Sequence, residues 1–485
     1  MVALRPIVSH STAGQQSTVG SVDQPKATIV EKVICADDAT QSYALYLPAK
    51  YSNDHSWPVL FAFDPMARGK VPVEHYKDAA EKFGWIVIGS NNSRNGSMQQ
   101  SINAWNAMVK DAQQRFRLDE NRVYVTGFSG GARVAIFLAA QCQGCIAGVV
   151  AAGAGFPIGL DATRRSPLPI FVTVGVDDFN FAELSELDQT LNKAGTNHLV
   201  EEFAGRHDWP PADVAADALE WMELQAMKSG TRLSDQQFIQ SAWQSKWTRA
   251  HSFIDAKKYY EAFQAYSAII QTFNTLHDVT EARNEFAKLQ NHPEVKTAIR
   301  DEQRQIARQR EIEARVRRLI ATSQRVSLRD DADNSGDNSR RAENVSEEAA
   351  PELQLKTLFA DLRKQAAKSE DNGDRRVARR VVDGAFINFY EQGRGELEEK
   401  HFDAAVRWFI LASETNPDRF GVFIYLASAY AGKGDKKKSL RALKTAVDHG
   451  FSDVAAIANN PLFDSIRGDT EFQEIIKAIQ SKKAS

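Results

Sequence analysis

Cysteine is scarce in this chain, with three residues in 485, which excludes a disulfide framework. Two of them, Cys142 and Cys145, share one CQGC motif. Zinc would need a second such pair, and a thioredoxin-like site would need the motif to open a helix, whereas here it follows one. The motif reads as two buried, idle thiols, with a small disulfide in an exported protein or a redox or metal role as the alternatives. Excess charge of either sign is also lacking. Sixty Lys and Arg stand against sixty-three Asp and Glu, a formal net charge of -3, which leaves no footprint for nucleic acid or another polyanion. Long apolar runs are missing as well. The uncharged stretch Cys145 to Leu160 is shorter than the ~18–20 residues of a membrane span and is rich in glycine, so no span is expected. The first twenty residues hold no continuous apolar core of a secretory signal, so a cytoplasmic location is the default expectation and export the alternative.

Proline and glycine are not scarce, but they are unevenly spread. Eleven of fifteen prolines and seventeen of twenty-eight glycines precede residue 229, and Ala, Glu, Lys, Arg, Gln and Leu dominate the remainder. This shift separates a turn-rich half from a helical half. In the first, short apolar runs read as strands at Ser42–Leu47, Val59–Phe63, Trp85–Gly89, Arg122–Thr126, Ile146–Ala152, Ile170–Val174 and His198–Phe203. Amphipathic stretches at His75–Phe83, Ser101–Arg115, Gly131–Gln141, Phe181–Ala194 and Ala212–Met227 read as helices. Such alternation predicts an α/β fold whose mostly parallel sheet carries helices on both faces, with its chemistry beyond the carboxyl ends of the strands.

The second half has helical periodicity throughout. Phe423, Leu426, Ala427, Tyr430, Ser439, Leu443 and Ala446 follow a similar set, Phe389, Gly393, Ala405, Phe409, Ala412 and Pro417, at a period of thirty-four residues. These offsets resemble the tetratricopeptide repeat, whose stacked hairpins imply a groove for a protein partner. A looser unit stands at Tyr259–Ile270, a charged helix is expected over Glu294–Ala321, and Leu328–Ala350 has too few apolar residues to offset ordering. The expected domains are a flexible segment 1–27, an α/β domain 28–228, a helical region 229–327, a disordered linker 328–350 and a repeat-like all-α domain 351–485.

Chemistry concentrates at VYVTGFSGGARVAIF, Val123–Phe137, where Gly127, Gly130 and Gly131 surround Ser129 between an apolar strand and an apolar helix. GFSGG fits GxSxG and resembles the nucleophile elbow of α/β hydrolases, with the helix N-terminus and its free N–H groups directed at the serine. A serine hydroxyl is a weak nucleophile until a base takes its proton, so a histidine and an orienting acid should follow. The strand ending in GVDD supplies Asp178 or Asp177, and the strand ending in GRHDWP supplies His207. Asp178 is favoured, because the acid of such loops usually sits three residues after the glycine. No other histidine competes: His55 lies in a turn, His75 opens a helix, His198 begins a strand, and those beyond residue 229 belong to the helical half.

Residues from about 28 to 228 thus resemble a compact esterase-type α/β hydrolase, similar to the polyhydroxyalkanoate-depolymerase, feruloyl-esterase and phospholipase/carboxylesterase groups. The resemblance implies a serine esterase acting on a small or polymeric ester without metal or organic cofactor. Ser129, His207 and Asp178 would be catalytic, the Gly130 and Met66 N–H groups would form the oxyanion hole, and Phe128 and Trp209 would contact substrate. The loop after Val59–Phe63 departs from the common His-Gly pattern by carrying Asp64-Pro65, and proline has no N–H, which is why Met66 is the expected donor. Asp64 and Arg68 read equally as substrate contacts, a surface ion pair or turn residues. No inserted cap is visible between residues 146 and 174, so the site should be open. A serine peptidase and a non-catalytic interaction scaffold are the alternative functions.

Overall fold

A computed structural model describes residues 24–142, 144–333 and 350–484. The expected N-terminal segment falls outside the described residues up to residue 23, and the expected linker does so over residues 334–349. The chain divides into two compact units, residues 1–303 and 304–485.

The first unit is built on eight strands: β1 (Ile29–Cys35), β2 (Asp38–Tyr46), β3 (Trp57–Phe63), β4 (Ile86–Ser90), β5 (Leu118–Phe128), β6 (Gly148–Ala152), β7 (Ile170–Gly175) and β8 (His198–Phe203). Their order is β1-β2-β4-β3-β5-β6-β7-β8. β2 pairs antiparallel with β1 and β4, and the pairings from β4 to β8 are parallel. Five helices connect them: α1 (Lys70–Phe83), α2 (Met98–Arg115), α3 (Gly130–Gln141), α4 (Phe181–Ala194) and α5 (Ala212–Ser229). Successive strand residues point to opposite faces, which sorts the core into two layers. Val59, Phe61, Phe63, Val123 and Val125 pack with Trp105 and Met108 of α2 and Ala135 and Leu138 of α3. Leu60, Val87 and Tyr124 pack on the other face with Tyr76 of α1 and Leu219 and Trp221 of α5.

β1 was not among the expected strands. It is an edge strand carrying Glu31 and Lys32, and charge at an edge discourages pairing with another chain while hiding the apolar alternation that marks a strand. α1 begins at Lys70 rather than His75, because Pro72 sits in its first turn, where the missing N–H costs no helical bond. Cys142 and Cys145 are joined as a disulfide, with Cα atoms 5.6 Å apart, in place of the two idle thiols expected; the pair closes the turn that ends α3.

The first unit continues through α6 (Gln236–Asp255), α7 (Tyr259–Phe273) and α8 (Thr280–Gln290). Leu224 and Met227 of α5 share one apolar cluster with Trp243 of α6, Tyr266 and Phe273 of α7 and Leu289 of α8. A cavity of about 360 Å³ lies between β8, α5, α6 and α7. In its wall Arg249 contacts Glu201 and Asp217, and Lys246 contacts Asp217 and Glu220. α9 (Pro293–Asp333) runs on into the second unit, past the expected end of the charged helix at Ala321 and into the segment expected as linker.

The second unit is all-helical, with α10 (Pro351–Ala366), α11 (Gly373–Glu398), α12 (Phe402–Thr415), α13 (Phe420–Lys433), α14 (Lys436–Asp448), α15 (Val454–Ala458) and α16 (Thr470–Ala484). Phe389, Ala405, Phe409, Ala412, Leu426, Ala427, Leu443 and Ala446 are all buried in one apolar cluster. No helix among the described residues is long and apolar enough to cross a membrane.

Two stability tests follow from this packing. Replacing Cys142 and Cys145 together by serine should lower the unfolding free energy by about 2 kcal/mol in urea titrations, the loop-closure value for so short a loop. Burial and the adjacent Asp217 push the Glu201 carboxyl from 4.5 up to about 7, against the opposing pull of Lys246 and Arg249. Between those values the folded chain holds a proton that the unfolded chain has released, so stability declines as pH rises through the window and stays lower above it. Glu201→Gln should therefore raise the melting temperature at pH 8, by on the order of 1–3 kcal/mol of stability, and change it little at pH 4.

Candidate active site

The site forms where β5 turns into α3. Phe63 of β3 lies in register with Gly127 of β5, and α3 begins so close to this strand end that a Cβ on Gly131 would overlap the Phe63 carbonyl oxygen. A Cβ on Gly127 would likewise overlap the Gly131 carbonyl. Between these two close approaches Ser129 adopts φ 54° and ψ -118°, a conformation that a non-glycine residue holds only at a cost of about 1–3 kcal/mol. Its N–H donates to the Ala152 carbonyl at 2.8 Å, which pins the turn to the end of β6. The Gly130 and Gly131 N–H groups that open α3 lie beside the serine with the positive end of the helix dipole, while the Ala132 and Arg133 N–H groups donate to the Ser129 carbonyl.

The expected acid and base meet from two other loops. The His207 Nδ1–H donates to Asp178 Oδ1 at 2.8 Å and lies 2.9 Å from Oδ2. Asp178 is fully buried, and its Oδ1 also accepts the Asn180 N–H at 2.8 Å. The imidazole is held between Phe179, 3.9 Å away by ring centroids, and Phe128 at 4.5 Å. Asp177 is turned to another task, its N–H donating to the Gly205 carbonyl, so Asp178 is the aspartate that meets the histidine. A Cβ on Gly153 would stand 3.2 Å from both His207 Cε1 and Asp178 Oδ2. The histidine–aspartate pair therefore borders the residue next to Ala152, which holds the Ser129 N–H. With Nδ1 engaged, Nε2 is the ring nitrogen left for a reacting group. Among the described residues no hydrogen bond joins the Ser129 hydroxyl to His207, and in unliganded hydrolytic sites that bond commonly tightens only with substrate.

The expected oxyanion donor Met66 is placed differently. Its N–H donates to Asp64 Oδ1 at 2.9 Å, the local turn that an aspartate forms with the N–H two residues on. Asp64 is itself fully buried rather than exposed to substrate. Its carboxylate also accepts Arg68 Nε and Nη2, each at 2.9 Å, and Trp209 Nε1 at 3.0 Å. This ties the loop after β3 to the histidine loop. Trp209 and Phe128, expected as substrate contacts, are 3% and 6% exposed and pack on each other at 5.8 Å, so neither forms an open wall.

Sequence reasoning missed Asn95. The loop after β4 crosses above β3: Arg94 pairs with Met66, and the Asn95 N–H donates to the Pro65 carbonyl at 2.9 Å. The Asn95 carboxamide rests on Gly130. The run NNSRNGS at a strand's carboxyl end was the available signal. Among the described residues, the remaining group with metal-ligand geometry is an exposed one in the second unit, Glu396, Glu399 and His401.

The dienelactone hydrolase family model matches residues 34–209, the span from the end of β1 to the histidine loop. A comparison with curated proteins found no match. Among solved structures, a ferulic acid esterase is 17% identical over 40% of this chain and 95% of its own, with a TM-score of 0.34. An S-formylglutathione hydrolase (FrmB) from Staphylococcus aureus is 16% identical over 38% of this chain and 92% of its own, with a TM-score of 0.31. Esterase 2 of Thermogutta terrifontis with butyrate bound is 13% identical over 44% of this chain and 98% of its own, with a TM-score of 0.32. The family match, the parallel sheet and the strained serine turn define an α/β-hydrolase fold, followed by an all-helical region.

Asp64→Ala should cost about 2–4 kcal/mol in chemical denaturation, because the Trp209 indole N–H is left buried without an acceptor.

Proposed function

We propose that this chain is a serine hydrolase of carboxylic esters. The observation that carries the reading is the buried Asp178 carboxylate holding His207 Nδ1, beside a serine kept at positive φ on the N-terminus of α3. In this reading Ser129 Oγ attacks the ester carbonyl while His207 Nε2 takes its proton. Asp178 fixes the tautomer and stabilises the imidazolium. The Gly130 N–H donates to the oxyanion, and the tetrahedral intermediate collapses as His207 returns the proton to the departing alcohol. Water, activated by the same histidine, then releases the acid. The match to the dienelactone hydrolase family over residues 34–209 supports hydrolysis as the reaction class. No helix stands between β6 and β7 among the described residues, which suits bulky or polymeric esters as well as small ones.

The helical region is proposed as a tetratricopeptide-like docking surface for a protein partner. That is supported by the repeat spacing and by successive helices α11 to α14 joined by turns of two to four residues.

The test is turnover of p-nitrophenyl butyrate together with labelling by a fluorophosphonate. Ser129→Ala should abolish labelling and lower kcat by about 10⁵–10⁶-fold with the fold intact, and Asp178→Asn should lower it by about 10⁴-fold. Folded wild-type protein that resists the fluorophosphonate would overturn the enzyme reading in favour of a scaffold. Turnover of aminoacyl anilides without turnover of esters would replace esterase by peptidase.

A further inference from the structure

An acyl-transfer site needs a second hydrogen-bond donor beside the first N–H of the nucleophile helix. The loop after β3, where that donor was expected, does not offer one at its first two positions past Asp64. Pro65 has no N–H, and the Met66 N–H is held by Asp64 Oδ1 at 2.9 Å. Releasing it would strip a ligand from a fully buried carboxylate that also holds Arg68 and Trp209.

A different group occupies the neighbourhood of Gly130. A Cβ placed on Gly130 would overlap Asn95 Oδ1, and would stand 2.9 Å from Asn95 Cγ and 3.5 Å from Nδ2. The Asn95 carboxamide therefore lies against the residue that supplies the first donor, and Gly130 is the residue that leaves room for it. The backbone of Asn95 is fixed independently, by its N–H to the Pro65 carbonyl and by the adjoining Arg94–Met66 pairing. Its carboxamide makes no hydrogen bond to another described residue. A half-turn about the terminal torsion exchanges oxygen and nitrogen without moving the backbone.

We infer that Asn95 is a catalytic residue: its Nδ2–H donates to the substrate oxyanion alongside the Gly130 N–H, in the position expected for the Met66 N–H. The assignment rests on the serine-hydrolase reading above. Asn95 is exposed and sits in a loop, so its side chain can be changed without opening the core. The carboxamide N–H is a neutral donor, suited to a charge that appears only as the carbonyl carbon becomes tetrahedral.

The experiment measures kcat and KM for p-nitrophenyl butyrate in the full-length wild type, Asn95→Ala and Asn95→Asp, with thermal melts of each. Asn95→Ala should lose about 10²–10³-fold in kcat with KM within about threefold of wild type and an unchanged melting temperature. Asn95→Asp should lose more, since a carboxylate would face the developing negative charge. A wild type that turns over ester while Asn95→Ala keeps kcat within threefold overturns the assignment alone. Equal losses in Asn95→Ala and Asn95→Asp accompanied by a lowered melting temperature overturn it in favour of a loop-supporting role. A wild type inert to both ester and fluorophosphonate removes the hydrolase reading and this assignment together.

Discussion

The site depends on how closely α3 is driven onto the end of β3. With only hydrogen between the Gly131 Cα and the Phe63 carbonyl, the chain must reverse within one residue, and that residue is Ser129 at φ 54°. The same approach puts a helix N-terminus at the sheet edge where charge would develop, and sets Gly130 under the loop from β4. Had either flanking glycine carried a side chain, the helix would stand off the sheet and the serine would relax into an ordinary helical start. Packing between a strand end and a helix start thus fixes the backbone that carries Ser129.

A second constraint is the buried Asp64 carboxylate, which unites two loops far apart in sequence. Arg68 comes from its own turn, while Trp209 lies in the loop of His207, and each gives an N–H to the same carboxylate. A charge taken fully out of water is tolerated because the guanidinium forks onto both oxygens and the remaining lone pairs are used. His207 is then held between Phe128 and Phe179, and Trp209 packs on Phe128.

Much of this was legible before any coordinates. β8 and α4 fell on their expected bounds, because a short apolar run and a 3.6-residue stripe are local signals. Ser129, Asp178 and His207 were singled out because each follows a strand at the sheet's carboxyl edge, and the pairing of Asp178 with His207 is present. What escaped was set by contacts at long range. β1 is charged and half exposed, so its pairing with β2 and not its composition makes it a strand. Asp64 read equally as a substrate contact, a surface ion pair or a turn residue, because its partner Trp209 is 145 residues away. Met66 was expected as a free donor, and the local turn formed by Asp64 takes up its N–H. Asn95 carries no motif, and only the crossing of one loop over another brings it to the elbow.

The shared packing of α5 with α6, α7 and α8 bears on where the first unit of this molecule can be cut. The family match stops at residue 209, and composition changes near residue 229. Yet Leu224 and Met227 close against Trp243, Tyr266 and Phe273. A protease cut at the compositional border would bare this apolar seam and leave a fragment prone to self-association, whereas one near residue 303 would leave it covered. The α/β unit is therefore closed by three helices that lie beyond its sheet and beyond the family match.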